Sequence, residues 1–169
     1  LLSRRQRQMC IRDRVYRLQK SPELHLDYGN LRASLPGDDI SIADVRKAVI
    51  EIRRSKLPEP DEYGSAGSFF MNPVIPTEQY EKLKSSYPDM PHYVVDDMHV
   101  KVPAGWLIDR CGWKGKSFGG AAVYEKQCLV LINKNNAKPN DVVALAEMIR
   151  KSVSDTYGIV INPEVNYIE

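Results

Sequence analysis

One serine hydroxyl, that of Ser68, stands in a sequence setting suited to chemistry. It follows Gly67 and precedes the pair Phe69-Phe70, so the backbone can approach another group closely while the rings exclude part of the surrounding water. Asn72-Pro73 then ends the extended run, because a residue before proline is pushed out of the helical region. Two interpretations stay open at this point, a hydroxyl held for catalysis and a glycine-rich turn that enters a buried strand.

Other motifs that suggest chemistry fail on their own residues. Gly115-Lys116-Ser117 ends like a phosphate-binding loop, but Arg110 stands where that loop requires its first glycine. The stretch before Ser68 is not a nucleophile elbow, because Ala66 occupies the position of the serine. The three histidines have no metal-ligand spacing, so no metal site is predicted from them: His25, His92 and His99.

Four helices are predicted to hold these residues in place. The first is capped by Ser41 with Asp44 in a capping box, and its apolar face has helical spacing: Ile42, Val45, Val49 and Ile52. A second helix is predicted over residues 77–86 and a short third over 105–111, ended by Gly112. The fourth is capped by Asn140 and ends at Gly158, with one apolar stripe: Val142, Leu145, Ala146, Ile149 and Val153.

Extended segments are predicted between the helices. Residues 58–67 are predicted to form the proline- and glycine-bearing loop that delivers Ser68. The predicted extended segments are residues 16–18, 24–28, 92–95, 99–102, 121–124, 128–133, 159–161 and 165–168. Because strands and helices intermix without a repeated βαβ unit, the predicted class is α+β.

Composition narrows the classes of protein. The chain has 169 residues, 43% hydrophobic and 27% charged, as in a globular protein that can bury a core. No apolar run approaches the roughly 20 residues that span a bilayer, so no membrane association is predicted. Three cysteines without CxxC spacing argue against a disulfide framework and a zinc site, and favour a cytoplasmic location.

The first 14 residues differ in charge from the rest. They hold five arginines against one aspartate, while the whole chain has a net charge of only +2, so the remainder is slightly acidic. An arginine cluster suggests a nucleic-acid arm, but this one lacks aromatic residues and adjoins an acidic body, so no nucleic-acid partner is predicted. Residues 1–14 are interpreted as an artefactual or disordered leader without the features of a signal peptide.

Several blocks occur in the same order as in the UDP-N-acetylenolpyruvoylglucosamine reductase (MurB) family, which the chain therefore resembles. The blocks are Ser55-Lys56-Leu57-Pro58-Glu59-Pro60, the serine segment, Ala104-Gly105-Trp106-Leu107-Ile108-Asp109, Gly119-Gly120-Ala121-Ala122-Val123, Leu129-Val130-Leu131-Ile132-Asn133 and Asn162-Pro163-Glu164-Val165. The resemblance runs from about Val15 to the C-terminus and covers the C-terminal half of the family's usual length.

The resemblance implies a reduction. In this family, also called UDP-N-acetylmuramate dehydrogenase, NADPH reduces bound FAD, and the flavin passes hydride to UDP-N-acetylglucosamine enolpyruvate in peptidoglycan synthesis. The family's FAD-binding signatures are not found in the sequence, so FAD is expected to be bound mainly by the N-terminal half. The fragment alone is therefore expected to be inactive, and the full-length enzyme to be cytoplasmic and monomeric.

Residue roles follow from the same resemblance. Ser68 matches the family's proton-donating serine and Glu164 its catalytic glutamate. Substrate-binding positions carry over to Tyr28, Lys56, Asn72, Tyr93, Lys101, Lys114 and Gln127. The family's catalytic arginine has no counterpart here, since Arg17 lies past its position, and Met71 replaces a lysine common in the family.

The resemblance also implies a domain division. Residues 15–57 are expected to be the tail of the flavin-binding region with a connecting helix, and residues 58–169 the C-terminal substrate-binding domain. The alternative function is a non-catalytic nucleotide-sugar binding module that lacks the flavin domain. Ser68 and Glu164 favour the enzyme, because a binding module needs neither.

Overall fold

A computed structural model of the chain describes residues 15–27, 31–35, 37 and 39–168. The chain divides into two compact units, Leu1–Val49 and Ile50–Glu169. In the first unit, residues 15–27 contain no regular element, so the extended pieces predicted there gain no strand partner among the described residues. A 3-10 turn, Arg32–Ser34, lies between the buried side chains of Leu31 and Leu35.

Helix α1 (Ile42–Lys56) begins at the predicted capping box. The Ser41 N–H donates to Asp44 Oδ2 over 2.9 Å, and the Asp44 N–H donates to Ser41 Oγ over 3.2 Å. The predicted helix is confirmed, but its apolar face is not fully buried among the described residues, since Ile42 is 60% and Val49 38% exposed and only Ala48 on this helix is buried. Helical spacing defines a face, but it does not supply the surface that covers it.

The larger sheet has four antiparallel strands in the order β1-β7-β6-β5. They are β1 (Gly64–Ser68), β5 (Ser117–Phe118), β6 (Ala121–Val123) and β7 (Val130–Asn133). The predicted loop over residues 58–67 is therefore wrong in its last four residues. Glycine and serine are typical of turns, yet pairing with β7 holds this stretch extended, with an irregularity between Ser65 and Ser68 and Gly67 at φ +79°.

A second sheet contains strands within the extended segments predicted over residues 92–95 and 99–102, paired antiparallel with each other. Its order is β2-β4-β3, from β2 (Val74–Pro76), β3 (Tyr93–Val94) and β4 (His99–Lys101). Helix α2 (Thr77–Ser86) follows β2 directly and has the predicted bounds. Separate helices and antiparallel sheets confirm the α+β class.

Two further helices complete the core of the second unit. Helix α3 (Ala104–Arg110) and helix α4 (Pro139–Tyr157) contact each other, and α4 packs on β5 and β6. The predicted stripe of α4 is confirmed, with Leu145, Ala146, Ile149 and Val153 buried, as is its end at Gly158, where φ is +64°.

The N-cap predicted for α4 was wrong. Lys138 rather than Asn140 precedes the helix, and Pro139 is its first residue. The Asp141 carboxylate accepts the N–H of Lys138 over 2.9 Å and that of Gly120 over 3.2 Å. These hydrogen bonds hold the pKa of Asp141 below its usual value, with the Lys138 bond the larger cause.

The segment after α4 was predicted as two strands, and that prediction was wrong. It contains an isolated bridge between Phe70 and Pro163 but neither of the two strands. Ile159 and Ile161 are buried while Val160 between them is exposed, which reproduces the alternation of a strand. Pro163 has no N–H to extend the pairing, so a strand pattern ends in a single bridge.

Candidate active site

Ser68 lies at the irregular end of β1, where the chain turns from the sheet into the core. It pairs with Val130 of β7, and the next two residues, Phe69 and Phe70, are buried. The Phe69 N–H donates to the carbonyl of Leu129 over 2.7 Å. Ser68 is itself exposed, so its hydroxyl sits on a well-anchored backbone beside two buried rings.

Glu164 is brought next to this segment although 96 positions separate it from Ser68 in the sequence. Its N–H donates to the carbonyl of Phe69 over 2.8 Å, and the Met71 N–H donates to the carbonyl of Asn162 over 2.9 Å. Glu164 therefore pairs with the residue that directly follows Ser68. Both Ser68 and Glu164 are exposed.

A cavity of about 380 Å³ lies between α3, β3 and the turn before β7. Four residues predicted to bind substrate line it together, namely Asn72, Tyr93, Lys114 and Gln127. The other lining residues are Pro103, Gly105, Trp106, Asp109, Lys126, Cys128 and Leu129. The two lysines and a tyrosine give the cavity several hydrogen-bond donors.

Backbone contacts orient the two amide side chains of the cavity. The N–H of Ala104 donates to Asn72 Oδ1 over 2.9 Å, and the N–H of Leu129 donates to Gln127 Oε1 over 3.4 Å. With each carbonyl oxygen held by the backbone, the NH2 group is the end of each amide that can donate to a ligand. This arrangement suits an anion with several oxygens, such as a phosphate.

Lys114 has a carboxylate beside it. Its Nζ is 4.0 Å from Asp109 Oδ2, and both side chains are half exposed. Asp109 also acts on the buried Cys128, whose pKa is raised to about 11, chiefly by burial and then by the negative charge of Asp109. The thiol stays protonated at neutral pH, so Cys128 lines the cavity as an apolar group rather than a nucleophile.

Comparison with known proteins shows the family of this domain. Residues 59–168 match the family described as UDP-N-acetylenolpyruvoylglucosamine reductase, C-terminal domain. The chain belongs to this family. Among curated UDP-N-acetylenolpyruvoylglucosamine reductases, that of Bacteroides fragilis is 51% identical over 156 residues, which cover 90% of this chain and 46% of the relative.

Two other reductases agree with that match. The enzyme of Flavobacterium johnsoniae is 42% identical over 95% of this chain and 49% of its own length. That of Porphyromonas gingivalis is 46% identical over 90% of this chain and 46% of its own length. The chain thus spans about half the length of these relatives. Among the helices described here, none is long and apolar enough to cross a bilayer.

Two further substrate positions predicted from the reductase family, Lys101 and Lys56, do not line the cavity. Lys101, on β4, pairs with both Val74 and Tyr93, so it neighbours a lining residue without being one. Lys56 is the last residue of α1 and is exposed. Tyr28 falls outside the described residues.

Sequence reasoning missed several residues of the reductase-family cavity, including Gly105, Trp106 and Asp109. The sequence carried a signal at Gly105, because glycine inside a helix lowers the stability of the helix and suggests that another group packs closely against its backbone. A Cβ there would lie 3.4 Å from Leu129 Cγ and 3.5 Å from Gln127 Oε1. These are ordinary van der Waals distances, so α3 lies in contact with Leu129 and the amide of Gln127 at this point.

Proposed function

We propose that this chain is the C-terminal, substrate-binding portion of a reductase that converts UDP-N-acetylglucosamine enolpyruvate to UDP-N-acetylmuramate in peptidoglycan precursor synthesis. The observation that carries the proposal is the single cavity lined by Asn72, Tyr93, Lys114 and Gln127. The name of the relatives, UDP-N-acetylenolpyruvoylglucosamine reductase, supports the same substrate. Because the chain spans about half of those relatives, the activity belongs to the longer protein.

Nucleotide recognition follows from the donors of the cavity. Lysine acts as a compact charge for phosphate, and amide N–H groups add directed hydrogen bonds. Lys114 with the NH2 groups of Asn72 and Gln127 would bind the diphosphate of the sugar nucleotide. Four further residues are proposed as substrate contacts. They are Tyr93 and Lys101, which lie on neighbouring strands, together with Lys56 and Tyr28.

Two residues are proposed to act on the enolpyruvyl group. Addition of hydride to the double bond leaves an enolate, which needs stabilisation and then a proton on the carbon beside the carboxylate. Ser68 would donate that proton, and Glu164 would control the charge that develops. A serine hydroxyl is a weak acid, so this role requires the firm positioning that the Phe69–Glu164 pairing supplies.

We place the flavin site outside the described residues. Their helices follow Ser41, Pro76, Pro103 and Lys138, and none begins with a glycine-rich turn that could receive a dinucleotide phosphate. FAD and NADPH, the hydride source that the family resemblance implies, are therefore proposed for the longer protein. We assign FAD mainly to the part of the relatives that this chain does not span.

The other parts of the proposal concern organisation. Residues 58–169 are proposed as the substrate-binding domain, and residues 15–57 as the connecting helix with the tail of the flavin-binding region. The full-length protein would be monomeric and cytoplasmic, without a nucleic-acid or membrane partner. The second candidate, a non-catalytic nucleotide-sugar binding module, shares the cavity and differs in needing neither Ser68 nor Glu164.

Titration of this chain with UDP by calorimetry tests the cavity. Replacing Lys114 or Gln127 by Ala is expected to weaken UDP binding by about 10- to 100-fold, since hydrogen bonds to charged groups contribute about 1.5–3 kcal/mol. Lys134→Ala is the matched control, because Lys134 lines a different cavity beside Glu62 and Tyr124. Equal affinities in all four proteins would contradict the proposed site.

A further inference from the structure

The segment that carries Glu164 has few backbone restraints of its own. It runs from Gly158 without forming a strand, and Pro163 interrupts its pairing with residues 69–71. Two backbone hydrogen bonds hold it on that side, from Met71 to Asn162 and from Glu164 to Phe69. A segment with so short a ladder needs another restraint if it is to keep a carboxylate in one place.

Arg150 of α4 supplies a restraint from the other side. Its Nε–H donates to the carbonyl of Ile161 over 3.0 Å, three residues before Glu164. Its Nη1 lies 2.7 Å and 2.9 Å from the two carboxylate oxygens of Glu147. The planar guanidinium can serve both acceptors at once, and Glu147 thereby fixes its direction toward the carbonyl.

Tyr167 completes this arrangement beyond Glu164. Its ring centroid lies 6.4 Å from that of Phe69. Its pKa is raised mainly by burial, with the negative charge of Glu147 adding to the effect and the positive charge of Arg150 opposing it. Glu164 therefore lies in the chain between two contacts, that of the Ile161 carbonyl with Arg150 and that of the Tyr167 ring with Phe69.

We propose that Arg150 is a positioning residue for Glu164, acting by holding the carbonyl of Ile161 while Glu147 holds its guanidinium. The proposal rests on the proposed function for the role of Glu164 and on the geometry alone for the restraint. Arg150 does not act on the substrate. It fixes the backbone from which Glu164 reaches the region of Ser68.

A neighbouring ion pair on α4 shows what a merely structural role would look like. Lys151 Nζ is 2.7 Å from Asp155 Oδ2, and both side chains are largely exposed. Such a pair contributes little to stability, and both of its partners belong to α4. Arg150 is only 30% exposed, and its Nε–H ends on the backbone of Ile161, a fully buried residue. Lys151→Met is thus a matched control for Arg150→Met.

The first experiment measures amide hydrogen exchange of this chain by NMR. In Arg150→Met, the amides of Met71 and Glu164 are expected to exchange at least about tenfold faster, while amides in the middle of α2 are unchanged. Lys151→Met is expected to leave all of them unchanged. Unaltered exchange of the two amides in Arg150→Met would overturn the restraint, as would an equal rise in both variants.

If Arg150→Met does not fold, Arg150→Lys decides the question. Lysine keeps the charge but offers no planar fork, so the two amides are expected to exchange faster than in the wild type while α2 stays protected. Full protection of both amides in Arg150→Lys would show that the fork is dispensable and would overturn the proposal.

The second experiment measures turnover in the full-length reductase that contains this chain. Arg150→Met is expected to lower kcat about tenfold or more with little change in KM, and Arg150→Lys to recover part of it. Glu164→Gln is the reference variant. Loss of turnover in Glu164→Gln without loss in Arg150→Met would overturn the positioning role alone. Normal turnover in Glu164→Gln would instead refute the proposed catalytic function and, with it, the role of Arg150 in catalysis.

Discussion

At the scale of single residues, hydrogen bonds of the neighbouring backbone position Ser68 and Glu164. The carbonyl of Leu129 accepts the N–H of Phe69, and the carbonyl of Phe69 accepts the N–H of Glu164. The main chain directly after Ser68 and at Glu164 is therefore fixed. Neither side chain has to be buried for this to hold. A weak acid such as a serine hydroxyl benefits most from such positioning, because its proton transfer depends on geometry more than on acidity.

Replacement of Ser68 tests this role in the full-length enzyme. Ser68→Ala is expected to lower turnover about 10²–10⁴-fold, the usual cost of losing a general acid, while UDP affinity measured by calorimetry stays unchanged. Ser65→Ala serves as the control, since Ser65 is an exposed serine on the same strand, paired with Ile132. A similar loss of turnover in both variants would point to a structural effect of altering β1.

Elements whose ends carry their own signals could be predicted from the sequence. Ser41 with Asp44 marks the start of one helix and Gly158 the end of another through local hydrogen bonds or backbone conformation, and the structure agrees at both. The predictions failed where pairing with a residue distant in the sequence determines the local structure. Gly64 is in a strand because Asn133 pairs with it, and the segment around Pro163 meets Phe70 in a bridge that Pro163, which has no N–H, does not extend.

The turn between β5 and β6 shows how a helix cap and a sheet depend on each other. The Asp141 carboxylate that caps α4 also accepts the N–H of Gly120. A Cβ at Gly119 would lie 2.5 Å from both Cγ and Oδ1 of Asp141, at a φ of +55° that side chains disfavour. Gly119 therefore makes room for the carboxylate that joins α4 to the sheet.

Gly119→Ala is expected to destabilise the chain by about 1–3 kcal/mol, measured by urea denaturation, because it adds both backbone strain and a clash. Gly112→Ala separates the two causes. Gly112 also has a positive φ, +72°, but its nearest neighbour to an added Cβ is the flexible end of Lys116 at 3.8 Å. If the two variants lose equal stability, the clash with Asp141 contributes nothing.

At the scale of the whole molecule, the candidate site was only partly predictable. The family resemblance named Asn72, Tyr93, Lys114 and Gln127, which come from four separate segments and line one cavity. Residue types alone could not have grouped them, because tertiary contacts set the distances between them. Asp109 escaped notice for the same reason, since its neighbours Lys114 and Cys128 become apparent only in the folded chain.

The division of labour proposed for the full-length protein gives a direct test on this chain. The chain is expected to bind UDP but not FAD, because its donors line a cavity suited to a diphosphate, and no described helix begins with a dinucleotide-binding turn. Purified chain incubated with FAD and passed through a desalting column should be colourless, with no flavin absorbance near the protein peak. It should also reduce no enolpyruvyl substrate with NADPH.

The full-length protein is the positive control in both measurements. A stoichiometric flavin spectrum on the isolated chain would contradict the assignment of FAD to the remainder of the protein. If the isolated chain bound neither FAD nor UDP, the cavity would need the remainder of the protein in order to form.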